Sequence, residues 1–307
     1  ELDQLPPNSP KLVIVDGLNE MAATVGNQIL VLLDDLVRTQ MSASVIVADR
    51  LFRRELPNAA RWRIGTTLPL AESEVRKQLG TQINVGPRDT LTSPFFLNAE
   101  LERNAQGGNN GRAAELKILL QGHSALTEPE LDEASSAAFN MYVQRHSRSR
   151  VFPTAEFAAL TTAATMTKLV TSGVLVTTGA DAYFDHHLVH DYLASRQLAI
   201  LTADQWQPPV FRAVTFEGSS FDALELAFEQ LDVELGARFL RALYDWHLYA
   251  AGYVLGYAGD TGVAVSHEMR TVICAMLAEK QFDAVLASRE RALDALRLIR
   301  TTEAQAF

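Results

Sequence analysis

The chain of 307 residues is long enough for two or three packed units. Apolar residues make up 48% of it and charged residues 21%, which excludes disordered, collagen-like and disulfide-stapled classes. A single cysteine, Cys274, leaves no disulfide framework or Cys-rich zinc module and fits the reducing cytoplasm, while a formal charge of −10 is poorly matched to a phosphate backbone.

No run of about 18 apolar residues occurs, so no membrane span is expected. The polar opening from Glu1 shows no secretory leader, and its start without Met predicts that something precedes it. Lys11–Gly17 (KLVIVDG) reads as a buried parallel strand, Asn27–Gln40 as a helix and Ser42–Arg50 (SASVIVADR) as a second buried strand. Arg61–Leu70 forms a third short element and leads into a capped helix over Ala71–Gly80. Strands alternating with helices predict an α/β unit over 1–90.

From Ser93 the pattern turns helical, with helices expected at Phe95–Leu101, Ala113–Leu120 and Glu128–Val143 in a unit spanning 91–153. Arg145, Arg148 and Arg150 read as a solvated basic turn. Two helices, Thr154–Leu160 and Ala164–Ser172, precede a hairpin over Gly173–His186 and a helix over His187–Ala199. That is a winged-helix order, for 154–205. After a linker, Gln205–Val210, region 206–307 reads as a solenoid-like helical array: Leu224–Leu235, Ala237–Tyr257, Val263–Ala278 and Phe282–Arg300. The aromatic stripe Tyr244, Trp246, Tyr249, Tyr253 and Tyr257 reads as helix–helix core, with a partner surface as the alternative. Cys274 reads as a buried small hydrophobe.

The chemistry concentrates in two places. Asp16 ends the first strand, where a carboxylate at the C-terminal edge of a parallel sheet suits Mg²⁺, directly or through water, and Glu20 follows four residues later. The second place is Tyr183–Ala199 (YFDHHLVHDYLASRQLA), with His186, His187 and His190. Their spacing admits two imidazoles on one helical face, but without cysteine or a clear third ligand a metal is disfavoured.

Leu12–Glu20 (LVIVDGLNE) resembles the Walker B motif of the NACHT-type STAND signal-transduction NTPases. On that resemblance Asp16 is the Mg²⁺-associated acid and Glu20 the catalytic acid, with Asn19 departing from the usual Asp. Arg50, after the second strand, matches the sensor-1 arginine. Thr92–Leu101 (TSPFFLNAEL) is similar to the proline-containing segment of the family's helical domain, where Pro94 would sit against adenine. His186 takes the place of the histidine that contacts the β-phosphate of ADP, and Asp191 replaces the family's Glu.

The resemblance implies the C-terminal part of a P-loop NTPase sheet, then a helical domain, a winged helix and a helical array. It further implies an ATP/ADP-dependent, Mg²⁺-using switch that self-oligomerises when the helical region senses a protein or peptide ligand, in immune defence or programmed cell death. No G-x-x-x-x-G-K-[ST] occurs, so the phosphate-binding loop is expected upstream of Glu1; the chain as given is not expected to hydrolyse ATP, and the protein with that loop is a slow ATPase at most. Two alternatives stand beside this: a catalytically inactive helical scaffold, and an ATPase-coupled winged-helix transcription regulator. Nucleic acid is disfavoured, since 156–205 carries only Lys168 and Arg196 as basic groups.

Overall fold

Strand β1 (Lys11–Val15) pairs in parallel with β2 (Ala43–Val47), in register from Lys11 opposite Ala43 to Val15 opposite Val47. Helix α1 (Ala23–Thr39) makes the crossover, burying Leu30 and Leu33. These elements belong to a computed structural model that describes residues 9–18, 21, 23–40, 42–49, 56–65, 67–68, 70–80, 93–103, 111–144, 150–261, 265–299 and 304. The parallel pairing follows the apolar runs, but their burial does not. Leu12, Ile14 and Ile46 alternate onto a face that is more than half exposed, so the strands are covered on one side only. Arg61–Leu70 contributes the end of a single 3-10 turn, Ala59–Arg61, and no strand among its described residues. Helix α2 (Glu72–Leu79) ends as its sequence predicts. Gly80 adopts φ 65°, and its N–H donates to the Arg76 carbonyl.

Helices α3 (Pro94–Arg103), α4 (Arg112–Ser124) and α5 (Glu128–Val143) follow. Strand β3 (Phe152–Pro153), helices α6 (Thr154–Ala159) and α7 (Ala163–Thr171), and the hairpin β4 (Leu175–Thr178) and β5 (Asp181–Phe184) come next. The three strands form an antiparallel sheet in the order β3-β5-β4, so β3, which precedes residue 154, is a member of the same packed unit. Gly179 at φ 64° supplies the left-handed residue that the hairpin turn needs.

Helix α8 (His187–Ile200) is the centre of the molecule. Leu188 to Ser195 are all buried, because α5 lies along one side of it and α10 (Asp222–Phe228) along the other. One apolar core gathers Leu131, Phe157, Leu169, Phe184 and Leu193 around the three-stranded sheet. A second runs from Tyr142 through Phe211, Phe228, Phe239 and Val254 to Ile299. Among the described residues no helix is long and apolar enough to cross a membrane.

The C-terminal region differs from its periodicity in three ways. Gln205–Val210 is not a linker. Trp206 is buried, its indole N–H donates to the Leu198 carbonyl at 3.1 Å, and Pro208 opens α9 (Pro208–Val214). The span Leu224–Leu235 breaks into α10 and α11 (Val233–Trp246), where the Asp232 carboxylate caps Leu235 N. The span Ala237–Tyr257 breaks at His247, which is extended and whose Nδ1 accepts from Ala250 N as α12 (Leu248–Thr261) begins. Helices α13 (His267–Lys280) and α14 (Leu286–Leu298) complete the array and bury the thiol of Cys274. Of the aromatic stripe only Tyr253 is fully buried, while Tyr244, Trp246, Tyr249 and Tyr257 pack half-buried against the core.

Candidate functional site

Asp16 stands at the C-terminal end of β1, as a carboxylate following an apolar parallel strand must. Its Oδ1 accepts from Gly17 N at 2.8 Å, Leu18 N donates to the Ala48 carbonyl at 3.2 Å, and the side chain is exposed. Glu20, Asn19 and Arg50 lie outside the described residues. Pro94 is the first residue of α3, with its ring exposed. His186 is the N-cap of α8, where its Nδ1 accepts from Leu188 N at 3.2 Å, which puts the ring's N–H on Nε2.

Two of these segments meet. The ring of Phe95, the residue after Pro94, lies on the His186 imidazole with centroids 4.1 Å apart, and the His187 ring meets the same imidazole, tilted, at 4.4 Å. The start of α3 and the start of α8 therefore form one half-exposed aromatic and imidazole surface. Among the described residues no hydrogen bond or ion pair joins Asp16 to it.

The three histidines do not converge. His190 is buried among Phe152, Phe184 and Tyr142, stacked on Tyr142 at 4.0 Å, with Nε2 3.1 Å from the Ala138 carbonyl. Burial, and then the nearby Arg150 charge, lower its pKa to about 3, so the ring is neutral. Its Nδ1 is buried without a hydrogen-bond partner. No group of three potential ligands that could hold a metal ion occurs among the described residues.

Beneath the His186 surface lies a polar cluster that the sequence hides. Arg150, expected in a solvated turn, is buried. Its guanidinium forks onto Asp191, Nη1 to Oδ1 at 2.9 Å and Nη2 to Oδ2 at 3.1 Å, and Nη1 also reaches the His187 carbonyl at 3.2 Å. The Tyr142 hydroxyl donates to Asp191 Oδ1 at 2.7 Å and accepts from Arg150 at 2.8 Å. The reason for the burial is charge matching. Asp191 sits on the inner face of α8 with no exposure, and only a paired cation makes that tolerable. The sequence trace was Asp191 itself, an acid at an otherwise apolar helix position.

A second cluster ties α4 to α10. Arg112 reaches Glu225 at 2.7 Å and Asp222 at 3.3 Å, and its guanidinium lies 5.4 Å from the Tyr257 ring. The Tyr253 hydroxyl donates to Asp222 at 3.1 Å. Glu229 accepts from the N–H groups of Arg112 and Ala113 at 3.1 and 2.6 Å, capping α4 from outside its own helix. Burial holds the Glu225 carboxyl well above the usual carboxylate range; Arg112 opposes this and Glu229 adds to it.

No protein-family model matches this chain, and a search of the curated proteins returns no match.

Proposed function

We propose that the chain is part of a nucleotide-dependent signalling switch of the STAND type, in which bound nucleotide clamps a conformation. The observation that carries this reading is the contact of Phe95 with His186 at 4.1 Å, which joins the two segments expected to face adenine and phosphate. Supporting it, Asp16 occupies the C-terminal edge of a parallel strand pair, the edge at which open α/β sheets take ligands. The element order α5, β3, α6, α7, β4, β5, with its three-stranded antiparallel sheet in the order β3-β5-β4, is compatible with the winged helix that this reading expects.

The residues fit an adenine nucleotide in a limited way. Pro94 and Phe95 offer an apolar plate, and His186 offers a donor at Nε2 while Nδ1 is engaged by Leu188 N. Asp16 alone suits a hydrated Mg²⁺, which would neutralise phosphate charge. The phosphate-cradling loop is not among these 307 residues, so they hold part of a site and assist exchange, not turnover.

The winged-helix unit serves here as a packing module. Its two cations are engaged, Lys168 with Glu130 at 2.6 Å and Arg196 with Asp132, which leaves little to neutralise a nucleic-acid backbone. Exchange of nucleotide would free α8 from the α/β unit, and the helical array would sense the ligand that triggers exchange.

The test is the nucleotide content of the natively purified full-length protein, read by ion-exchange chromatography after denaturation. Stoichiometric ADP that disappears in His186→Ala is the expected result. Absence of bound nucleotide, together with no thermal shift in Mg-ATP or ADP, overturns the switch. The scaffold reading then stands, and the continuous apolar core from Tyr142 to Ile299 favours it.

A further inference from the structure

Between α9 and α10 the chain makes three successive left-handed residues: Phe216 at φ 50°, Glu217 at 56° and Gly218 at 84°. Two of the three carry side chains, and such residues persist only where the surroundings over-determine them. Here Thr215 does so. Its Oγ1 accepts from Gly218 N at 3.1 Å, and its carbonyl accepts from Ser219 N at 2.7 Å and Ser220 N at 3.0 Å. The Glu217 N–H returns to the Arg212 carbonyl at 2.8 Å.

This turn touches both halves of the molecule. On one side, Ser219 Oγ donates to the Met21 carbonyl at 2.7 Å, and Glu217 accepts from the Thr24 hydroxyl at 3.4 Å. Met21 and Thr24 belong to the segment that follows Asp16 and opens α1. On the other side, the buried Phe216 ring lies 4.7 Å from the Arg150 guanidinium and edge-on to Tyr142 at 5.0 Å. Arg150 in turn holds the His187 carbonyl and Asp191, the first turn of the helix that His186 caps.

We propose that Arg150 is a positioning residue for His186, and that the left-handed turn Phe216–Gly218 couples it to the segment after β1. A shift at Met21 and Thr24 removes the outer support of the turn. The Phe216 ring then moves under the guanidinium, and the fork on Asp191 carries the motion to the start of α8. A single fork fixing a carbonyl and a carboxylate one turn apart sets both the tilt and the rotation of that helix end. The coupling exists whatever ligand moves the β1 segment; only its use as a nucleotide relay rests on the reading above.

A double-mutant cycle read by NMR tests it on the full chain without nucleotide. The probe is the set of long-range ¹H–¹⁵N imidazole cross-peaks of His186, assigned with His186→Gln. Ser219→Ala is expected to displace them in the wild-type background and to leave them in place in Phe216→Leu, which keeps the Arg150–Asp191 pair. Equal displacement in both backgrounds, or none in the wild type, overturns the coupling. Arg150→Lys, which cannot fork onto Asp191, is expected to broaden or move the His186 peaks and abolish the Ser219 response. If that variant does not fold, the Phe216 leg of the cycle decides. Because no nucleotide is added, a negative result here is separate from a negative nucleotide analysis.

Discussion

The His190 imidazole is kept neutral inside the fold, with its pKa lowered to about 3 by burial first and Arg150 second. The unfolded chain takes up the same proton near its ordinary value of 6.5. Stability from this residue is therefore complete above that value and lost as pH falls through the window toward 3. By linkage, lowering the pH to about 5 costs the fold about 2 kcal/mol. Urea titrations at pH 7 and 5 are expected to show that loss in the wild type and much less of it in His190→Phe; an unchanged slope in the variant contradicts the assignment. Arg150 acts with opposite chemistry in the same cluster. Arg150→Met strands the wholly buried Asp191 and is expected to cost about 3–5 kcal/mol, with most of it restored in Arg150→Met/Asp191→Leu. If the double variant is no more stable than the single, the pair is not the source of the cost.

Helix α12 shows what governs packing between elements. A Cβ on Gly256 would lie 2.7 Å from Leu298 Cβ and 3.1 Å from the Leu298 backbone carbonyl carbon, so glycine lets α12 and α14 approach. Gly256→Ala is expected to lower stability by about 1–3 kcal/mol despite its better helix propensity, which thermal melts will show. A melt unchanged or raised would mean that α14 yields at no cost. How far such elements were legible depended on whether their cause was local. Helix α5 begins where Thr127 and Glu130 announce it, with Glu130 accepting from Thr127 N at 2.8 Å, and the hairpin turns where Gly179 stands. The break at His247 was not legible, because apolar spacing runs through it and tertiary packing decides it. Trp206 reads as linker because two prolines follow it at 208 and 209, yet its indole has a partner in Leu198. Asp16 is placed at a strand end by the sequence, whereas the roles of Pro94 and His186 rest on a family resemblance alone, and the ring that meets His186 is that of Phe95. Arg150 was misplaced because nothing near it in the chain names its partner, 41 positions away.

Across the whole molecule the two ends of the chain are built differently. Residues from α4 to α14 share two apolar cores bridged by α8, whereas the β1–β2 pair leaves Leu12, Ile14 and Ile46 uncovered. Amide exchange is accordingly expected to be fastest in β1 and β2 and slowest in α8, α10 and α12, since opening free energy follows local burial. Equal protection throughout would mean that the α/β unit draws stability from contacts with the rest of the chain. Cys274 offers a clock for those openings. It is the sole thiol of the chain, reduced and with no solvent exposure, wedged in α13 against the second core. A thiol reagent cannot reach it in the folded state, so the rate at which it is labelled counts excursions of the C-terminal array, one chemical event per opening when trapping outpaces closure. The protein thus carries its own stopwatch for whether a bound ligand tightens that array or loosens it, with no foreign dye or engineered residue required.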